Sequence, residues 1–258
     1  MSTTETPLPT VADVRARAEA VRHRIAEAGG DPERVRLIAV TKAFPPELVP
    51  VALGAGLRDL GENYGQELTA KAEWLTAAEA TAGVDDGGPP RAAAEEAAQV
   101  GPRWHFIGGL QRNKIKHLAP HVHLWHSIDR SALVAEVAKR APGAAILIQV
   151  NTTGEDAKSG CDPAEAPELV AQGRELGLDV QGLMTVGPTD TAIDPRPSFT
   201  RLAELARGLE VPELSMGMSG DLETAVAEGA TMIRVGTSLF GPRQRGRLGE
   251  NHRRGPAA

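Results

Sequence analysis

The sequence predicts a single α/β domain built as a (β/α)8 TIM barrel, and three observations support this. Eight short apolar runs recur along the chain, helix-like segments alternate with them, and 258 residues match the roughly 250 that eight such units need. An open doubly wound sheet is the alternative. No GxGxxG follows a strand directly, however, and a dinucleotide-binding sheet would carry that fingerprint.

The first element is a helix, because Val11, Val14, Ala18, Val21 and Ile25 recur at three- and four-residue steps on one face before Gly29-Gly30 stops it. Runs that read as buried strands follow at residues 35–40, 57–60, 104–107, 122–125, 145–150, 180–184, 213–216 and 232–235. Helices are predicted between them at 47–54, 66–80, 113–118, 131–140, 163–176, 197–208 and 222–229. Residues 76–101, rich in Ala, Gly, Pro and Glu, break this rhythm and read as a flexible surface insertion. The barrel domain is assigned to residues 1–241. Residues 242–258 carry five Arg without apolar periodicity and are expected to form a disordered tail.

Composition narrows the function classes. A formal net charge of -6 argues against a general nucleic-acid surface. One cysteine, Cys161, allows no intrachain disulfide, and the N-terminus lacks a basic segment followed by an apolar stretch. No run reaches the ~20 apolar residues that span a bilayer. A cytoplasmic protein without a membrane partner is expected. His121 and His123 would share a strand face, but His126 points to the other and no Cys or carboxylate lies within the run, so no metal site is predicted. No Ser stands in a GxSxG elbow.

Lysine usage carries the first chemical signal, since the chain has six Lys against 22 Arg. Lys42 follows the first strand, at the end where a barrel places its active site. In partly apolar surroundings its amine loses its proton readily and can attack an aldehyde, which a guanidinium cannot do. A Lys that extends its charge into solvent from a strand end is the alternative. After the eighth strand, Gly236-Thr237-Ser238 could converge backbone N–H groups and hydroxyls on a phosphate, or Thr237 or Ser238 could merely cap a helix. The loop after the seventh strand, with Ser219 and Asp221, offers the same choice. Barrels commonly bind phosphate on these two loops. Arg234 shares a face with Met232, so its guanidinium needs a buried acceptor; a pyridine nitrogen would serve, and an ion pair with Glu62 is the alternative.

Several stretches together resemble the pyridoxal phosphate homeostasis protein family, whose fold is similar to the N-terminal barrel of alanine racemase. They are Leu37-Ile38-Ala39-Val40-Thr41-Lys42, Gly61-Glu62-Asn63-Tyr64-Gly65-Gln66-Glu67, Trp104-His105-Phe106-Ile107-Gly108-Gly109-Leu110-Gln111-Arg112-Asn113-Lys114, Lys158-Ser159-Gly160, Gly182-Leu183-Met184-Thr185, Leu214-Ser215-Met216-Gly217-Met218-Ser219 and Ile233-Arg234-Val235-Gly236-Thr237. The resemblance implies a fold type III barrel for pyridoxal 5'-phosphate (PLP), with a Schiff base on Lys42 and Arg234 facing the pyridine nitrogen. It further implies that Ser219, Gly236 and Thr237 hold the phosphate and that Asn63 and Met216 line the pocket.

The expected function is carriage of PLP in intracellular homeostasis, by a monomer, with PLP-dependent apoenzymes as recipients. A PLP-dependent racemase or decarboxylase using Tyr64, His105 or Cys161 as acid is the competing reading. Racemization by two bases needs a second acid/base group, normally a Tyr from an additional C-terminal domain for which the sequence after Gly241 is too short. Tyr64 is the one tyrosine in the chain. A barrel that binds phosphate without aldehyde chemistry, such as a sugar-phosphate isomerase, is a third class.

Overall fold

Thr10 opens the first helix with a capping box: Asp13 N donates to Thr10 Oγ1 at 3.1 Å, and Thr10 N donates to the Asp13 carboxylate at 2.9 Å. The helix, α1 (Val11–Glu27), buries the predicted stripe of Val14, Ala18, Val21 and Ile25, and Gly29 (φ 86) turns the chain after it. The computed structural model describes residues 7–81 and 101–242. Across them β1 (Arg36–Val40), β2 (Asp59–Glu62), β3 (Arg103–Phe106), β4 (Val122–Ile128), β5 (Ala145–Gln149), β6 (Asp179–Met184), β7 (Glu213–Ser215) and β8 (Met232–Val235) pair in parallel, each with the next in sequence. β8 pairs with β1 in turn, through Ile38↔Arg234 and Ala39↔Val235, and the barrel is closed.

The connecting helices are α2 (Leu48–Gly54), α3 (Gly65–Thr81), α4 (Ile115–Leu118) after a 3-10 turn at Arg112–Lys114, α5 (Ser131–Arg140), α6 (Ala166–Glu175), α7 (Arg196–Gly208) and α8 (Leu222–Ala227). A single turn, α9 (Thr237–Phe240), follows β8. It is too short to cover the seam between β8 and β1, and α1 lies against α2, α8 and α9 there. The predicted insertion begins inside α3, which stays helical through Thr81. Residues 82–100, the rest of that insertion except Gly101, lie outside the described residues, as do residues 243–258 of the tail. Among the described residues no helix is long and apolar enough to cross a membrane.

Strand alternation divides the core in two. Outward side chains such as Trp125, Ile146 and Ile233 pack under the helices with Phe199, Leu133 and Ile25, while Ile38, Leu124, Leu147, Met184 and Met232 fill the barrel interior. Arg234 lies two residues from Met232 on the same face, as the period of two predicts. β4 runs three residues beyond the predicted end at Trp125. His126 and Ser127 continue the strand with polar side chains, which the search for apolar runs passed over.

Gly182 pairs with Glu213 where β6 meets β7, and a β-carbon there would overlap the Glu213 carbonyl. Gly182→Ala should therefore lower stability by at least about 1–3 kcal/mol. A denaturant midpoint equal to that of the wild type would contradict this packing.

Candidate functional site

The first strand ends in a tight, strained turn. Thr41 N bonds Gly61 O at 3.1 Å, and Ala43 then adopts φ 62, a left-handed conformation that costs a non-glycine residue roughly 1–2 kcal/mol. Two contacts hold it: Ala43 N donates to Glu67 Oε2 at 2.8 Å, and Phe44 N donates to Thr41 O at 3.2 Å. Lys42 lies between Thr41 and Ala43, half-buried at the C-terminal end of the barrel. The Phe44 ring meets Phe240 of α9 edge-on, with centroids 5.7 Å apart, which ties this turn to the segment after β8.

Beneath the turn sits a buried ion pair. Lys71 Nζ donates to Glu62 Oε1 at 2.5 Å and to Thr41 O at 2.7 Å, and Thr41 Oγ1 donates to the same carboxylate oxygen at 2.6 Å. Burial pushes the Glu62 carboxyl above its ordinary range while Lys71 and Thr41 pull it back, and Glu62 Oε2 is buried without a hydrogen-bond partner. Glu62 is therefore engaged by Lys71 and not by Arg234, which overturns the ion-pair alternative for Arg234. The sequence held one signal for Lys71: it falls beside Leu68 and Ala72 on the apolar face of α3.

Arg234, 5% exposed, points into the barrel. Its Nη1 donates to Ser215 O and Ser215 Oγ, both at 2.7 Å, and its Nη2 donates to Thr185 O at 2.8 Å. Burial lowers its pKa to about 10, which leaves it cationic at neutral pH. Among the described residues no carboxylate forms an ion pair with it. From Ser215 a buried chain crosses the interior: Ser215 Oγ to His126 Nδ1 (2.9 Å), His126 Nε2 to His105 Nδ1 (2.8 Å), and His105 Nε2 to Asp59 Oδ1 (2.8 Å). Arg103 Nη2 meets the other Asp59 oxygen at 2.5 Å. Burial depresses the pKa of both histidines, His126 most. Sequence reasoning missed Ser215 as a partner of Arg234, and His126 and Asp59 behind it, because they join only across the closed barrel.

The remaining predicted residues fall at the same end. Gly236 is the N-cap residue of α9, with Thr237 exposed beside it, and a β-carbon on Gly236 would lie 3.1 Å from Val40 O. Ser219 is half-buried in the loop after β7, where its carbonyl accepts from Arg24 Nη2 at 3.0 Å. The capping alternatives do not hold. Neither Thr237 nor Ser238 caps α9, and Asp221, at the N-cap position of α8, accepts from Met218 N at 2.5 Å and not from the helix. At neither place does the side chain of the N-cap residue bond a first-turn amide. Asn63 is half-buried after β2, its main chain pressed closely against Gly108. Met216 is fully buried in the layer between sheet and helices, so only its main chain could face a ligand.

Strand ends β7, β8 and β1, consecutive around the barrel, thus gather an amine, a buried guanidinium and first-turn amides. Fold and site define a barrel of the alanine racemase N-terminal type, and the family model for the alanine racemase N-terminal domain matches residues 15–244. Relatives named pyridoxal phosphate homeostasis protein include that of Pseudomonas aeruginosa, 38% identical over 93% of this chain and 98% of that protein. That of Aquifex aeolicus is 37% identical over 88% of this chain and 95% of that protein. The chain belongs to the pyridoxal phosphate homeostasis protein family. Among solved structures, PipY of Synechococcus elongatus with PLP bound superposes with a TM-score of 0.71 at 32% identity, covering 88% of this chain and 100% of that one. Alanine racemase of Corynebacterium glutamicum shares the fold, with a TM-score of 0.60 at 15% identity over 92% of this chain and 64% of that one.

Two outcomes follow. Lys71→Met leaves the Glu62 charge buried and unpaired, and should cost about 3–5 kcal/mol in denaturant unfolding; a loss below 1 kcal/mol would contradict the pair. The two interior histidines are neutral when folded, whereas the unfolded chain protonates them below about pH 6.5. Stability should hold above that pH and fall below it, by up to about 1.4 kcal/mol per pH unit for each histidine. Denaturant midpoints that stay level from pH 7 to pH 5 would contradict the assignment.

Proposed function

We propose that this protein binds PLP covalently through Lys42 and acts as an intracellular carrier of it, without robust turnover of amino acids. When bound, PLP supplies an aldehyde that condenses with an amine with loss of water, a ring nitrogen that accepts a hydrogen bond, and a phosphate. The residues present fit each part. Lys42 Nζ, at the exit of β1, is the amine. Arg234 is a buried donor whose hydrogen-bonded partners are neutral oxygens, suited to a ring nitrogen. Ser219, Gly236 and Thr237, with the first-turn amides, suit the phosphate, and Gly236 leaves open the space a side chain would fill. Asn63 and the Met216 main chain would border the ring.

The observation that carries this reading is the convergence of amine, guanidinium and first-turn amides on three neighbouring strands. A guanidinium donating to the ring nitrogen would leave it unprotonated and restrain the ring as an electron sink; what favours a carrier is the want of a well-placed second acid/base. The candidate acids agree. Burial raises the Cys161 thiol to about 12, His105 is enclosed between Asp59 and His126, and Tyr64 is 49% exposed. PLP-dependent apoenzymes in the cytoplasm are the proposed recipients. A monomer is the proposed state; among the described residues the exposed large apolar side chains are Tyr64, Leu176, Ile193 and Met218.

Titration with PLP should give the wild type a new visible absorption band and Lys42→Ala none. A band of equal intensity in Lys42→Ala would contradict attachment at this position. Incubation of the loaded protein with each amino acid should leave optical rotation unchanged, and turnover abolished by Lys42→Ala would replace the carrier by the racemase reading.

A further inference from the structure

The polar chain inside the barrel has only one consistent arrangement of protons. Burial alone would raise the Asp59 pKa, but hydrogen bonds from His105 and Arg103 hold it below the ordinary carboxylate value, so Asp59 is an acceptor. His105 Nε2 must then donate to Asp59. Burial keeps His105 neutral, so its Nδ1 is an acceptor and His126 Nε2 must donate to it. His126 is likewise neutral, and its Nδ1 accepts the Ser215 hydroxyl proton. Ser215 Oγ is left with its lone pairs toward Arg234 Nη1, at 2.7 Å. Every hydrogen bond therefore points the same way, from the guanidinium toward the carboxylate. Asp59 opens β2 at the N-terminal end of the barrel, where Arg103 is half-exposed, while Arg234 sits near the other end.

We propose that His126, through Ser215, and behind it His105 and Asp59, are positioning residues that hold the Arg234 guanidinium toward the cofactor ring. This rests on the proposal that Arg234 faces the ring nitrogen. Chemically, an imidazole that could only donate would take one Ser215 Oγ lone pair and turn the hydroxyl proton away from His126, so that Oγ, one of the two acceptors of Nη1, would be weakened. The main-chain acceptors Ser215 O and Thr185 O would remain, so the arginine would stay buried with the contact that sets its angle weakened. The ion pair of Lys71 with Glu62 plays no part in this chain.

The test has one arm without cofactor and one with it. In the apo protein, 15N-edited spectra of the imidazoles should show His105 and His126 neutral at pH 7, each protonated on Nε2. A cationic ring, or the Nδ1-protonated tautomer at either position, overturns the proposal. In the loaded protein, Ser215→Ala and His126→Phe should each weaken PLP binding by roughly fivefold, about the worth of one hydrogen bond, and shift the visible band in the same direction. The double variant should show no further change. Ser215→Ala keeps both main-chain bonds of Arg234 and decides the matter should His126→Phe not fold. Variants that bind and absorb like the wild type, or effects that add, overturn the positioning role while leaving the cofactor reading intact. A wild type that forms no visible band overturns the cofactor reading and this proposal with it.

Discussion

Closure of the barrel between β8 and β1 is the constraint on which the site depends. The register Ile38↔Arg234 and Ala39↔Val235 brings Gly236 against Val40 O, where a side chain would crowd the carbonyl. Lys42 and Thr237 consequently leave the sheet from neighbouring strands at one level. The contact of Phe44 with Phe240 holds the two exits together, and α1 covers the seam from outside in place of a full helix after β8. The larger stripe residues, such as fully buried Ile25, each contribute about 1.5–3 kcal/mol to that cover as an upper estimate. The helix that precedes the barrel in sequence thus supports the strand pair that shapes the site.

Two buried polar systems divide the charged groups near this seam. Lys71 takes Glu62 and, with Thr41, braces the turn that presents Lys42. That leaves the interior of the barrel to Arg234, whose own hydrogen-bond partners carry no charge; the carboxylate whose charge acts on it is Asp221, and Asp59, paired with Arg103, stands at the far end of a chain of two imidazoles and a hydroxyl. Had Glu62 paired with Arg234, the guanidinium would be neutralised and Lys71 would be left with Glu67, 3.9 Å away, as its one ion-pair partner among the described residues. The partition keeps one amine and one guanidinium at the same rim in different environments, one half-buried and strained, the other enclosed.

Much of this was legible from residue order. Apolar runs marked all eight strands, and the period of two put Arg234 on the face of Met232, which closure of the barrel turns inward. β4 was cut short at Trp125 because polar residues in a barrel interior break the apolar signal while keeping the strand. The capping alternatives failed for local reasons: Gly236 rather than a hydroxyl residue occupies the cap of α9, and Asp221 at the cap of α8 accepts from Met218 N instead. Lys71 was visible only as a charge on an apolar helix face. The chain from Asp59 to Ser215 could not be read at all, because its members lie on β2, β3, β4 and β7 and meet only when the sheet has closed. Met216 shows the converse limit: its motif placed it at the pocket, but strand alternation sends its side chain outward.

In the proposed carrier one amine, at position 42, is the point of attachment. Borohydride reduction of the PLP-loaded protein, followed by peptide mapping with mass spectrometry, tests this most directly. A single reduced adduct on the peptide containing Lys42 is expected. An adduct on Lys114, Lys116 or Lys158 in its place, or no adduct, would contradict attachment there.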